Sequence, residues 1–407
     1  MFAFAFVYVV PYDFFLRLFS KKKYIQYTSN CVNINIPKRS ITSPASVRMS
    51  EPWQDSRLDP RCKARLKSMS EMSSGSLSLD MKDIPDEQYP TWEQLVAKNN
   101  TPEYKKRLQM IEQLMSGDGS TKVAPLDGLD IVDGTFESEN ITIPYVYMRP
   151  TKFANQNIPC VYYLHGGGMA AMSMRYTFYQ VWLRTIAHQG VAVFAIDFRN
   201  SITPSTSKVV APYPAGLNDC VNGLLYLHEN KTKFHIHNII ISGESGGGNL
   251  TIATTMRLKK MNQLDKISAF YPLCPYILGN YPDTKFPSTI ENQGILLHLN
   301  HGAKHNYGVE AYNNKDPMAW PSFATVEDLR GLPPCMVSVN ECDPLRDEGI
   351  AFYRKLVLAG VQAQARIVVG TPHGGELLGN CPDIAIETAR SISQWAWHGN
   401  GIESAKL

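Results

Sequence analysis

Net charge is nearly absent from this chain. It is +3 over 407 residues, and the excess belongs to the first fifty positions, where seven Lys/Arg face Asp13 alone. From residue 51 onward 33 basic residues meet 36 acidic ones, so a nucleic-acid partner, which needs basic residues concentrated on the folded part, is excluded. Cysteine is sparse as well. Eight occur, none in a C-x-x-C pair, which argues against a zinc ribbon or a redox dithiol. Most sit in apolar runs such as Ile158-Pro159-Cys160-Val161-Tyr162, where a free thiol behaves as a small hydrophobe. Internal repeats and low-complexity tracts are missing. With 44% hydrophobic and 19% charged residues, the chain is neither disordered nor fibrous and has material for a large core.

The first 48 residues differ from the rest. Met1–Phe19 is apolar but carries Pro11, Asp13 and Arg17 with no basic region ahead of it, which does not fit a signal peptide. Lys21-Lys22-Lys23 would suit the flank of a membrane anchor, and the acid-poor stretch to Arg48 resembles an organelle transit peptide. Ordinary globular composition begins at Met49. Residues 1–48 are therefore expected to be an extension with no role in the fold. The expected location is cytoplasmic, with organelle targeting or membrane contact through residues 1–20 as the alternatives.

Two helix starts follow: Thr91 and Gln94 form a capping box, and Thr101-Pro102-Glu103 supplies cap, first-turn proline and acid. Tyr104, Leu108, Ile111 and Met115 make one apolar stripe, ended near Gly117–Gly119. Ile131–Phe136 and Asn140–Met148 read as a hairpin turning at Glu137 to Glu139. Beyond Pro159 the pattern changes to apolar runs separated by helical stretches: Cys160–Leu164, Val191–Ile196, Ile239–Ser242, Ile267–Tyr271, Met336–Val339 and Ala365–Val369. Such runs predict an α/β fold, a mostly parallel sheet with helices on both faces. A last helix spans Asp383 to His398 and stops at Gly399. Expected domains are a helical cap region over 49–122 and a catalytic region over 123–407, with a strand-free insertion at about 275–330.

The chemistry concentrates at the ends of the predicted strands. Gly243-Glu244-Ser245-Gly246-Gly247 follows Ile239–Ser242 and precedes the helical run Leu250–Lys260, the context of a nucleophile elbow. That turn strains the backbone at the serine and leaves room only for glycine two positions either side. His165-Gly166-Gly167-Gly168 follows Cys160–Leu164 and offers bare backbone N–H groups to a carbonyl oxygen as it becomes negative. Gly167 and Gly168 are the expected donors, with Gly246 from the start of the helix. His165 is expected to orient the loop, and His165, Glu244 and Met169 are the candidate substrate contacts.

A serine hydroxyl needs a base, and the base needs a carboxylate. His373 stands in a glycine-rich loop after Ala365–Val369. Asp343 follows Met336–Val339, with Pro344 expected to start a helix whose first turn holds Asp347 and Glu348 as solvated dipole partners. The order Ser, Asp, His fits an α/β-hydrolase arrangement. His301 and His305 lack the glutamate and third ligand of a zinc site, so no metal is expected.

Taken together, His165–Gly168, Glu244-Ser245-Gly246-Gly247-Gly248-Asn249, Asp343-Pro344-Leu345-Arg346-Asp347 and His373-Gly374 resemble the hormone-sensitive-lipase-like branch of the α/β-hydrolase fold, over roughly Tyr145 to His398. Ile196-Asp197-Phe198-Arg199 and Pro212-Tyr213-Pro214-Ala215 look like further family segments. The resemblance implies Ser245 as nucleophile, His373 as base, Asp343 as its orienter, and Gly167, Gly168 and Gly246 as oxyanion donors. It also implies hydrolysis of small to medium acyl esters without metal or organic cofactor. Amides, lactones and acetylated small molecules need the same machinery, and a non-catalytic binding protein on this scaffold is the other alternative. The sequence departs from the family in the Ser/Thr-rich stretch Asn200–Val210, in Glu244 and Gly246 beside the serine, and in Gly375.

Overall fold

The structure, a computed structural model, describes residues 51–72, 88–116 and 124–399. The expected extension over 1–48 and the helix stop at Gly117–Gly119 lie outside these residues. All described residues fall in one compact unit, Arg48–Leu407.

Among the described residues, eight strands form one sheet: β1 (Leu129–Ser138), β2 (Ile141–Pro150), β3 (Ile158–Leu164), β4 (Ala192–Ile196), β5 (Ile236–Glu244), β6 (Ala269–Leu273), β7 (Cys335–Cys342) and β8 (Ala363–Pro372). Their order is β1-β2-β4-β3-β5-β6-β7-β8. β1 and β2 are an antiparallel hairpin turning at Glu139 and Asn140, whose φ angles of 50° and 63° suit a two-residue turn. From β4 through β8 every pairing is parallel. The chain leaves β3 for β4 on one side and returns as β5 on the other. This reversal opens a crevice beyond the carboxyl ends of β3 and β5, the place where open α/β sheets bind ligands.

Among the described residues, twelve α-helices accompany the sheet: α1 (Pro60–Met72), α2 (Trp92–Asn99), α3 (Pro102–Ser116), α4 (Thr177–Ala187), α5 (Ala215–Glu229), α6 (Gly246–Lys260), α7 (Ser288–Glu291), α8 (Gly302–Tyr307), α9 (Val309–Asn313), α10 (Val326–Leu329), α11 (Arg346–Leu358) and α12 (Pro382–His398). The Thr91–Gln94 capping box opens α2, and Gly399 at φ 68° closes α12. Alternation along β3 divides the core. Tyr162 and Leu164 pack with α5, α6 and α11 on one face, whereas Val161 and Tyr163 pack with α4 and α12 on the other. Each fully buried large apolar side chain contributes about 1.5–3 kcal/mol. Both sheet faces are thus covered, as unbroken apolar strands require.

Two expectations shift. Ile367 and Val369 on β8 are 49% and 70% exposed, because β8 is the edge strand of the sheet. The helix after Asp343 starts at Arg346 rather than Pro344, since Leu345 N–H and Arg346 N–H first close a turn on Asp343. Between β6 and β7 lie only short helices. No described helix is long and apolar enough to cross a membrane.

Candidate active site

Ser245 directly follows β5 with φ 57° and ψ −118°, a conformation that costs a non-glycine residue free energy and persists only when its surroundings enforce it. Enforcement comes from β6: Ser245 N–H donates to Leu273 O at 3.0 Å, and Ser245 O accepts from Tyr276 N–H at 3.1 Å. The flanking glycines are obligatory. A Cβ on Gly243 would lie 2.3 Å from Leu164 O, and one on Gly247 would lie 1.9 Å from the same atom. A Cβ on Gly246 would lie 2.6 Å from Met169 N and 2.8 Å from Gly168 N. The start of α6 and the loop after β3 therefore meet backbone to backbone beside Ser245. Gly167 and Gly168 hold φ angles of 93° and 64° in that loop, and Gly246 begins α6, whose N-terminal dipole favours an anion.

His373 follows β8 and Asp343 follows β7. His373 Nδ1 and Asp343 Oδ2 are 2.8 Å apart. Asp343 is fully buried, and its other oxygen accepts Leu345 N–H at 2.9 Å, so the carboxylate is fixed. Burial alone would lower the His373 pKa, but the Asp343 carboxylate overrides it and raises the imidazole well above its ordinary value. Cys274, the residue after Leu273, completes the cluster: its thiol, the Asp343 carboxylate and a His373 ring nitrogen lie within 4.8 Å of one another. Burial pushes that thiol up to about 11, so it faces His373 as a neutral group near pH 7. Cys274 thus links the Ser245 turn to the Asp343–His373 pair.

The three expected substrate contacts are interior. His165 is buried, donates from Nδ1 to Gly166 O at 2.9 Å, and stacks on Phe198 at 4.3 Å. Burial lowers its pKa, although Asp197 opposes this. Met169 is 1% exposed and packs in the core. Glu244 accepts from Tyr163 OH at 2.5 Å, Tyr179 OH at 2.5 Å and Gly166 N–H at 2.7 Å. Burial drives its carboxyl up to about 7. Its carboxylate joins the serine turn to the glycine loop.

Sequence reasoning misplaced Glu348, expected to be solvated. It is 1% exposed and accepts from Ile277 N–H at 2.7 Å and Tyr281 OH at 2.9 Å, anchoring the segment after β6. Asn340 was missed. Its amide donates to Thr371 Oγ1 at 2.8 Å and Glu376 Oε2 at 2.9 Å, and its carbonyl accepts Gly374 N–H at 3.3 Å, bracketing His373. An asparagine in the last turns of an apolar strand was the available signal. The Asn200–Val210 stretch also has a structural role. Ser201 N–H and Thr203 N–H donate to Met169 O and Ala170 O, while Ser201 O and Ile202 O accept from Trp92 and Asn100. The segment lies between the glycine loop and α2.

A family model described as alpha/beta hydrolase fold matches residues 161–376, more than half of the chain. The chain belongs to the α/β-hydrolase family. Among solved structures of this family, esterase Est22 is 42% identical over 85% of this chain and 99% of its own, with a TM-score of 0.78. Brefeldin A esterase, described as a bacterial homologue of human hormone-sensitive lipase, is 30% identical over 86% of this chain and 96% of its own, with a TM-score of 0.70. An arylesterase of Saccharolobus solfataricus is 29% identical over 262 residues, 62% of this chain and 79% of that protein.

Proposed function

We propose that the protein is a serine carboxylic ester hydrolase with Ser245 as nucleophile, His373 as base and Asp343 as orienter. The carrying observation is the 2.8 Å Asp343–His373 pair at the same sheet edge as a serine strained at φ 57°. Similarity to proteins named as esterases supports the same reading.

Ser245 Oγ attacks the ester carbonyl carbon as His373 Nε2 takes its proton, and Asp343 stabilises the imidazolium at Nδ1. The negative charge moves to the carbonyl oxygen, where N–H groups of Gly167, Gly168 and Gly246 receive it; each donor of this kind is worth on the order of 10²–10³ in rate. Collapse expels the alcohol, protonated by His373. Water then enters, activated by the same imidazole, and releases the acid. Substrates in this reading are small to medium acyl esters, reached through the crevice between the glycine loop and the segment after β6.

The test is hydrolysis of aryl esters from acetate to decanoate by the full chain and by Ser245→Ala. Turnover that falls at least ~10³-fold in the variant is expected, with covalent phosphonate labelling of Ser245 alone. Equal hydrolysis by both proteins would refute the assignment.

A further inference from the structure

Outside the proposed Ser245, Asp343 and His373 groups, α1 and the start of α12 bring two thiols together. Cys62 Sγ and Cys381 Sγ are 3.6 Å apart, although the residues are 319 positions apart in sequence. Both are buried, at 0% and 1% exposure, in a cluster with Leu58, Leu66, Ile295 and Cys342. Their approach is fixed from several sides. Arg61 bridges to Asp383 at 2.5 Å, Asp59 N–H donates to Gly370 O at 2.8 Å, and Arg57 donates to Asn292 Oδ1 at 2.7 Å. These contacts lock the beginning of α1 against the beginning of α12, the end of β8 and the insertion. Random packing of two small side chains needs no such frame.

A disulfide requires sulfurs about 2.05 Å apart with Cβ atoms about 3.5–4.5 Å apart. From 3.6 Å, side-chain rotation and a small backbone adjustment cover the difference. We propose that Cys62 and Cys381 are a site of oxidative modification, closing to an intramolecular disulfide by exchange with a small disulfide oxidant of the glutathione class. The step balances as two thiols plus one oxidant disulfide giving one protein disulfide and two small thiols. Cys62 attacks first as the thiolate, expelling one small thiol and leaving a mixed disulfide. Cys381 then attacks Cys62 Sγ and expels the second. The roles fit the surroundings: the contact from Cys381 lowers the Cys62 pKa, with Arg61 adding to it, whereas the Cys381 thiol is raised. Buried thiols react only as the α1 contact opens locally, so the reaction is slow compared with that of an exposed thiol.

The bond would tie the segment before the sheet to the helix after His373, and cross-links between positions distant in sequence restrict the unfolded chain most. This inference does not rest on the esterase reading, and activity is not its readout. The full chain is incubated with oxidised glutathione, quenched by acid alkylation, digested without reductant and mapped by mass spectrometry. The expected product is a Cys62–Cys381 peptide pair lighter by two hydrogens than its reduced parts. It disappears with dithiothreitol, and the oxidised protein melts several degrees higher than the reduced one. Cys381→Ala should instead accumulate the glutathione mixed disulfide on Cys62. Exhaustively oxidised wild-type protein with both residues still alkylated, or with Cys62 joined to any other cysteine, would overturn the proposal.

Discussion

Glu244 is the sharpest place to perturb the site without touching the reacting atoms. Its carboxylate receives three donors: two tyrosine hydroxyls at 2.5 Å and Gly166 N–H at 2.7 Å. Removing the carboxylate by Glu244→Ala would strand the two tyrosine hydroxyls in the interior at about 1–3 kcal/mol each, a large part of a fold stabilised by about 5–15 kcal/mol, and leave Gly166 N–H with Tyr179 OH, at 2.9 Å, as its acceptor. Glu244→Gln is the better probe, since it preserves shape and one acceptor but puts an NH₂ against one donor. Gly166 then loosens, and with it the loop that carries Gly167 and Gly168. As complete loss of one oxyanion donor costs on the order of 10²–10³, partial displacement is expected to lower kcat roughly 10–100-fold while KM for an aryl acetate stays within about threefold. A second readout follows from linkage. The Glu244 pKa is raised from 4.5 to about 7, so the folded state binds more protons than the unfolded state across that window. Wild-type stability should therefore fall as pH rises from 4.5 to 7, by about 3 kcal/mol, and Glu244→Gln should flatten that slope. The assays are steady-state kinetics and denaturant unfolding at stepped pH. Wild-type kcat together with an unchanged slope would refute the role given to this carboxylate.

Two further outcomes test the site. In the proposed mechanism the neutral imidazole is the base, and Asp343 raises its pKa, so activity should climb with pH along a limb centred above 6.5; Asp343→Asn should move that limb to lower pH and reduce kcat roughly 10⁴-fold, and a pH–rate profile unaltered by the variant would contradict the pairing. Gly247→Ala would press a Cβ to 1.9 Å from Leu164 O, so expression of soluble, folded protein should drop steeply, as measured by circular dichroism. A normally folded, active variant would show that the turn is not so constrained.

What the sequence disclosed and what it concealed have separate physical causes. The positions of Ser245, Asp343 and His373 just past β5, β7 and β8 were readable because each closes an apolar run, and strand ends in a parallel sheet share one edge. Glycines around Ser245 were readable because a tight turn excludes side chains, and the Leu164 O distances give that exclusion its size. Glu348 was misread: an acid in a first helical turn has the same local signature whether it faces water or, as here, the N–H of Ile277. Ile367 and Val369 looked buried because an edge strand and a central strand can carry the same residues. Cys62 and Cys381 could not be paired from spacing, since only the tertiary fold brings positions 319 apart into contact.

The strap formed by Ser201–Thr203 makes α2 and the glycine loop a single mechanical part. Any change at Trp92 or Asn100 pulls on Ser201 and Ile202, and through them on the carbonyls of Met169 and Ala170. Substitutions at these two positions should therefore alter turnover by shifting the glycine loop, without either side chain meeting the ester.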